Sequence, residues 1–167
     1  KVEGTRAEFM KKFMAEAGIT NASLRQAVVE KLDSIKDSKE FVLAAMGGLY
    51  ARDLEIPRVT GSLASMDGEE LKADDMVLFP MPASYFSRDP LAVVGKGATM
   101  NRMYWNQRNR EVIFYETVLR NHPDYAGSPI WYDHNSEWHI EGGDILNINA
   151  KTLAIGISER TQTAAID

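Results

Sequence analysis

The spacing of apolar residues changes from a helical to a strand-like period across residues 57–75, which restricts this chain to helices followed by short strands. Ahead of the change, Phe9, Phe13, Met14 and Ala17 fall on one helical face, with Thr5 and Glu8 placed as a capping box and Gly18 as the stop. A second amphipathic helix is expected from about residue 23 to 35, striped by Leu24, Val28, Leu32 and Ile35. Asp37 and Glu40 are placed to cap a third, with Phe41, Val42, Ala45, Met46 and Leu49 facing inward. These helices are expected to form a small bundle over residues 1–56.

Residues 57–75 carry Pro57, Gly61, Gly68 and the acidic pairs Glu69-Glu70 and Asp74-Asp75, the composition of a connector. Beyond it, short apolar runs at 76–79 and 91–94 predict strands, and Gly95-Lys96-Gly97 can turn the chain into another at 98–104. Asn149-Ala150 separates runs at 145–148 and 152–157, a hairpin pattern. Between them residues 109–121 read as a helix ended by Pro123, and 161–166 begin to read as another. The pattern by itself supports an α+β fold, with residues 76–167 as its β-containing part.

Two runs suggest chemistry. In His139-Ile-Glu-Gly-Gly-Asp144, two acids sit three apart across a glycine pair that allows a turn with positive φ; Pro80-Met-Pro-Ala-Ser-Tyr-Phe-Ser-Arg-Asp-Pro90 adds Asp89. A guanidinium ion is planar, permanently charged and armed with five N–H donors, so carboxylates presented in its plane would grip it in pairs of hydrogen bonds. Asp89 and Asp144 suit such a clamp.

With these residues the chain resembles the bacterial arginine deiminases of the guanidino-group-modifying superfamily. The likeness runs in order through PMPASYFSRDP (80–90), GKGATMNRMYWNQRNRE (95–111), IWYDHNSEWHIEGGD (130–144) and TLAIGISERT (152–161), and EFVLAAMGGL (40–49) is similar to the family's helical insertion. The resemblance implies part of a five-bladed α/β propeller, the pentein fold, with an inserted helical bundle. It implies hydrolysis of L-arginine to L-citrulline and ammonia without a cofactor; a cytoplasmic protein is the expectation from the lack of an apolar span or a charged-then-apolar leader, and a homo-oligomer from the sheet edges a partial propeller leaves open. By position, Asp89 and Asp144 match the acids that grip the substrate guanidinium, and Glu141 matches the glutamate beside the reacting carbon. Asp89 and Glu141 thus stand as catalytic residues. Arg108 and Arg160 match the two arginines that take the α-carboxylate, and Phe86 lines the slot for the methylenes.

The chain departs from the family pattern in two ways. Ala83 stands where the family has an asparagine that helps hold the amino-acid end of the substrate, and the chain contains no cysteine, whereas the family attacks with a cysteine thiolate and uses a later His-x-Asp pair. The expectation is a fragment of a longer enzyme, inactive alone. Two alternatives remain open: a non-catalytic arginine-binding or assembly domain, and a deiminase of another guanidino compound such as agmatine.

A net charge of −5 with intermingled signs, and no lysine or arginine run, argues against a nucleic-acid partner. No apolar stretch approaches the ~18 residues of a membrane span. Each candidate also has a plainer reading. Asp89 before Pro90 is a common turn residue, Arg108 and Arg160 are ordinary solvated charges, and Trp105, Trp131 and Trp138 are core aromatics. His139 and Glu141, two apart on a strand, could join Asp89 or Asp144 around a metal; no diagnostic ligand spacing supports this, and no metal is expected.

Overall fold

A computed structural model describes residues 2–56 and 71–167; most of the expected connector therefore lies outside the described residues. It is mixed α and β with small sheets, as the α+β reading requires. The chain forms two compact units, Ala17–Pro82 and a discontinuous unit made of Lys1–Glu16 with Ala83–Asp167. This division differs from the expected one, because the first helix belongs with the later residues.

In the Ala17–Pro82 unit, helix α2 (Ala22–Ser34) starts where the Asn21 side chain accepts the Leu24 N–H, and buries Ala27, Val28 and Leu32. Helix α3 (Ser38–Gly47) is capped by Asp37, which accepts the Glu40 N–H at 2.9 Å. It buries Phe41 and Ala45, whereas Val42, expected inside, is at the surface. Gly48 ends it at φ +82°, and a Cβ there would lie 2.4 Å from the Leu78 carbonyl oxygen, so only glycine lets the chain turn into the strand pair β1 (Leu49–Tyr50) and β2 (Met76–Leu78).

The second unit holds helix α1 (Val2–Ala15), which begins ahead of Thr5, so the expected capping box does not form. Thr5 instead donates its hydroxyl hydrogen to Asn121 Oδ1, at the end of helix α4 (Asn109–Asn121). Phe9 and Phe13 meet Phe114 of α4 edge-on, at centroid distances of 4.8 and 6.0 Å. The first helix therefore packs on α4 and leaves the expected three-helix bundle.

Strand β3 (Leu91–Val94) pairs antiparallel with β4 (Gly97–Met100), and β5 (Ile130–Tyr132) joins β4 in parallel. Helix α4 supplies the crossover that a parallel pair needs. Strand β4 is buried at every position, as a central strand should be. It stops at Met100, short of the expected 104, because Asn101 and Met103 turn their main chain toward Pro90 and the Asn109 side chain. Strands β6 (Ile145–Asn149) and β7 (Thr152–Ile155) form the expected hairpin, and the helix expected at 161–166 is a single 3-10 turn, Thr163–Ala165. No helix among the described residues is long and apolar enough to cross a membrane.

Glu16, just past α1, accepts from Arg102 at 3.0 Å and lies 3.3 Å from Nε2 of buried His134. The hydrogen bond from His134, helped by the charge of Arg102 and opposed by burial, holds the Glu16 carboxyl below the usual glutamate range. A carboxyl depressed by folding stabilises the folded state above its unfolded value, and that contribution fades as the pH falls through the folded value. Replacing Glu16 with glutamine is expected to cost roughly 1–2 kcal/mol near neutrality and to flatten the acid limb of the stability profile. Urea melts from about pH 7 to pH 3 check this; an acid limb as steep as that of the wild type would refute the assignment.

Candidate functional site

Every site residue expected from sequence lies in the discontinuous unit. The organising element is the 3-10 turn Gly142–Asp144, which follows the glutamate of the Glu-Gly-Gly-Asp run and leads into β6. The Gly142 N–H donates to the Asp89 carbonyl at 2.9 Å, and Arg88 donates from Nε to the Gly142 carbonyl at 2.9 Å and from its terminal nitrogen to the Ile145 carbonyl. The segment ending at Asp89 is thereby sewn to the turn. A Cβ on Gly143 would sit 3.1 Å from Asp89 Oδ1, so the carboxylate of Asp89 lies against the turn that presents Asp144.

Each acid is held differently. Asp89 Oδ2 accepts from Arg108 Nη1 at 3.0 Å. Glu141, only 3% exposed, accepts the Tyr104 N–H at 3.2 Å on one oxygen and Arg160 Nη1 at 3.3 Å on the other. Asp144 accepts two hydroxyls on one oxygen, from Thr161 at 2.6 Å and Ser158 at 2.9 Å, and makes no ion pair among the described residues. Thr161 also takes the Glu141 N–H at 3.1 Å, so one threonine ties both ends of the run together.

The arginines are not equivalent. Arg108 sits where a 3-10 turn passes into α4 and donates through Nε and Nη2 to both oxygens of Glu111, at 3.0 and 2.8 Å. Burial works against its charge, but the bonds and charges of Glu111 and Asp89 more than offset that, and its pKa is raised. Three of its five N–H groups are committed to these two carboxylates, leaving two uncommitted among the described residues. Arg160 is looser, with its side chain 43% exposed and its main-chain N–H donated to Ser158 Oγ. Phe86 is half exposed, its ring 4.1 Å from that of Tyr85, and its carbonyl accepts the Asp89 N–H at 3.2 Å. Its ring thus belongs to an exposed aromatic pair at the turn that delivers Asp89. The His139 ring meets Tyr104 edge-on, and no group of three or more metal-type side chains gathers among the described residues.

Sequence reasoning misses Glu111, although its spacing three residues after Arg108 on a helical stretch is that of an ion pair. Thr161 and Ser158 carry no comparable sequence signal.

A family model described as arginine deiminase matches residues 3–167. The chain belongs to the arginine deiminase family. It is 39% identical over 163 residues to an arginine deiminase of Treponema denticola, and similar at 35% and 34% to those of Streptococcus agalactiae and Clostridium perfringens. These alignments take in 97% of this chain but 39% of each relative's length, so the chain spans about two fifths of the deiminases it matches. The four motifs that resemble the arginine deiminase pattern all fall inside the matched residues.

Proposed function

We propose that this chain carries the guanidinium-gripping part of an arginine deiminase, which hydrolyses L-arginine to L-citrulline and ammonia. The observation that carries the reading is that Asp89 and Glu141, beside the turn presenting Asp144, already accept from guanidinium nitrogens of Arg108 and Arg160. Surroundings that suit one planar cation suit another of the same shape and charge. Asp89 and Asp144 grip the substrate guanidinium, and Glu141 stands beside the carbon under attack, where it moves a proton as the tetrahedral intermediate collapses. The chain has no cysteine, so the thiolate that attacks in this family is not among its residues.

Arg108 and Arg160 take the α-carboxylate, Arg108 through its two uncommitted N–H groups, and Phe86 flanks the methylenes. The β3–β5 sheet with α4 and the β6–β7 hairpin are parts of a five-bladed propeller, with an inserted helical segment before residue 57. The whole enzyme is a cytoplasmic homo-oligomer that degrades arginine.

Citrulline release from arginine, with agmatine in parallel, by the full-length product of the gene tests the reading. Arginine is expected to be turned over and agmatine, which lacks the carboxylate, scarcely. In the same assay Arg160→Gln is expected to lower kcat/KM for arginine about 10- to 100-fold, the worth of one or two charge-assisted hydrogen bonds, and to leave agmatine unaffected. Glutamine avoids placing a second carboxylate against Glu141. Folded full-length protein that releases no citrulline, or an unchanged arginine-to-agmatine ratio in the variant, would defeat the reaction or the role of Arg160 respectively.

A further inference from the structure

Asp89 is followed by Pro90, whose ring fixes its own φ and restricts the residue before it to extended backbone. Hydrogen bonds on this dipeptide therefore set the plane of the Asp89 peptide, leaving only the two side-chain torsions to place the carboxylate. Beside the Gly142 N–H on the Asp89 carbonyl and the Asp89 N–H on the Phe86 carbonyl, two of these bonds come from Asn101, which is fully buried. Its Nδ2 donates to the Asp89 carbonyl at 2.6 Å and its main-chain N–H donates to the Pro90 carbonyl at 3.1 Å. Its own carbonyl lies 3.1 Å from Nδ1 of His134, the ring that also meets Glu16.

The amide oxygen of Asn101 has no hydrogen-bond partner among the described residues. A buried acceptor in that state costs stability, and an apolar side chain of similar volume would avoid the cost. What the asparagine contributes that leucine cannot is the Nδ2 donor on Asp89. We infer that Asn101 is a positioning residue for arginine binding, holding the Asp89-Pro90 peptide so that the Asp89 carboxylate faces the guanidinium site. The inference rests on the proposed role of Asp89 in gripping arginine. It makes Asn101 a determinant of affinity that touches no substrate atom, seated between the site and the Glu16–His134 contact.

The test pairs two readouts on the full chain, wild type against Asn101→Leu. Calorimetric titration with arginine is expected to show affinity falling at least tenfold, with the melting temperature little changed. Amide exchange is expected to quicken at Gly142, whose N–H shares the Asp89 carbonyl with Asn101, while amides paired between β6 and β7 keep their rates. A merely structural role would lower the melting temperature and speed exchange throughout the unit. Should the leucine variant fail to fold, Asn101→Ser, too short to reach the Asp89 carbonyl, carries the same two readouts. Unaltered Gly142 exchange, or wild-type affinity in a folded variant, overturns the inference. Absence of arginine binding by the wild type defeats the proposed function instead, and the exchange rates still decide whether Asn101 places Asp89.

Discussion

Gly142→Ala is expected to cost about 3 kcal/mol or more of stability and to abolish arginine binding. A Cβ at this position would lie 2.0 Å from the Arg88 carbonyl oxygen, and 3.2 Å from the Ala92 side chain on β3. The first of these neighbours is backbone, which cannot swing aside as a long side chain does. Relief would require the turn to retreat from the 88–89 segment, breaking the Gly142 N–H bond to the Asp89 carbonyl and the Arg88 bond to the Gly142 carbonyl. Ala92, Ile140 and Ile145 are buried together behind the turn, so the retreat would also open their packing. Gly143→Ala makes the informative contrast, because its Cβ would meet only the Asp89 carboxylate, at 3.1 Å. That variant is expected to melt near the wild-type temperature and yet bind arginine poorly. Thermal unfolding and calorimetric titration of both variants check the pair; a Gly142→Ala variant that melts like the wild type would show that the turn withdraws from Arg88 without cost.

The second large effect is expected at Asp89. Asp89→Asn keeps the shape and removes the charge, and arginine turnover by the full-length product is expected to fall by on the order of 10²- to 10³-fold in kcat/KM, as when one partner of a desolvated charge pair is lost. Stability is expected to change far less, because Arg108 retains both bonds to Glu111 and the start of α4 stays anchored. Steady-state kinetics with a parallel melt separates the two contributions. Equal kcat/KM in the variant would remove Asp89 from the site, and a collapse in melting temperature would make it a structural residue.

Strand β3, helix α4 and the β6–β7 hairpin were legible in the sequence because their signals are local: apolar runs, a proline after the helix, and a turn dipeptide between runs. Position of α1 was not legible. Its apolar stripe is clear, but whether Phe9 and Phe13 meet α2 or Phe114 is decided by packing across a hundred residues of chain. The capping residue failed for a related reason, since a helix that continues ahead of Thr5 leaves that hydroxyl to a tertiary partner. In the site, the residue types and the presence of a turn could be read directly, but not the reason for its glycines: neither Gly142 nor Gly143 takes a positive φ, and Gly142 instead allows close approach to the Arg88 carbonyl. The partners could not: nothing local foretells that Arg108 reaches back to Asp89, that Thr161 joins Glu141 to Asp144, or that Asn101 turns its amide on the Asp89 carbonyl.

Helix α1 and residues 83–167 form one unit although Ala17–Pro82 is spelled between them. Closing a flexible segment costs free energy that rises only with the logarithm of its length, about 0.6 kcal/mol for each doubling. Length changes between the folded elements of Ala17–Pro82 thus add little to the cost of closing the discontinuous unit, while Glu16, bonded to Arg102 at its entrance, marks the boundary at which such drift must stop.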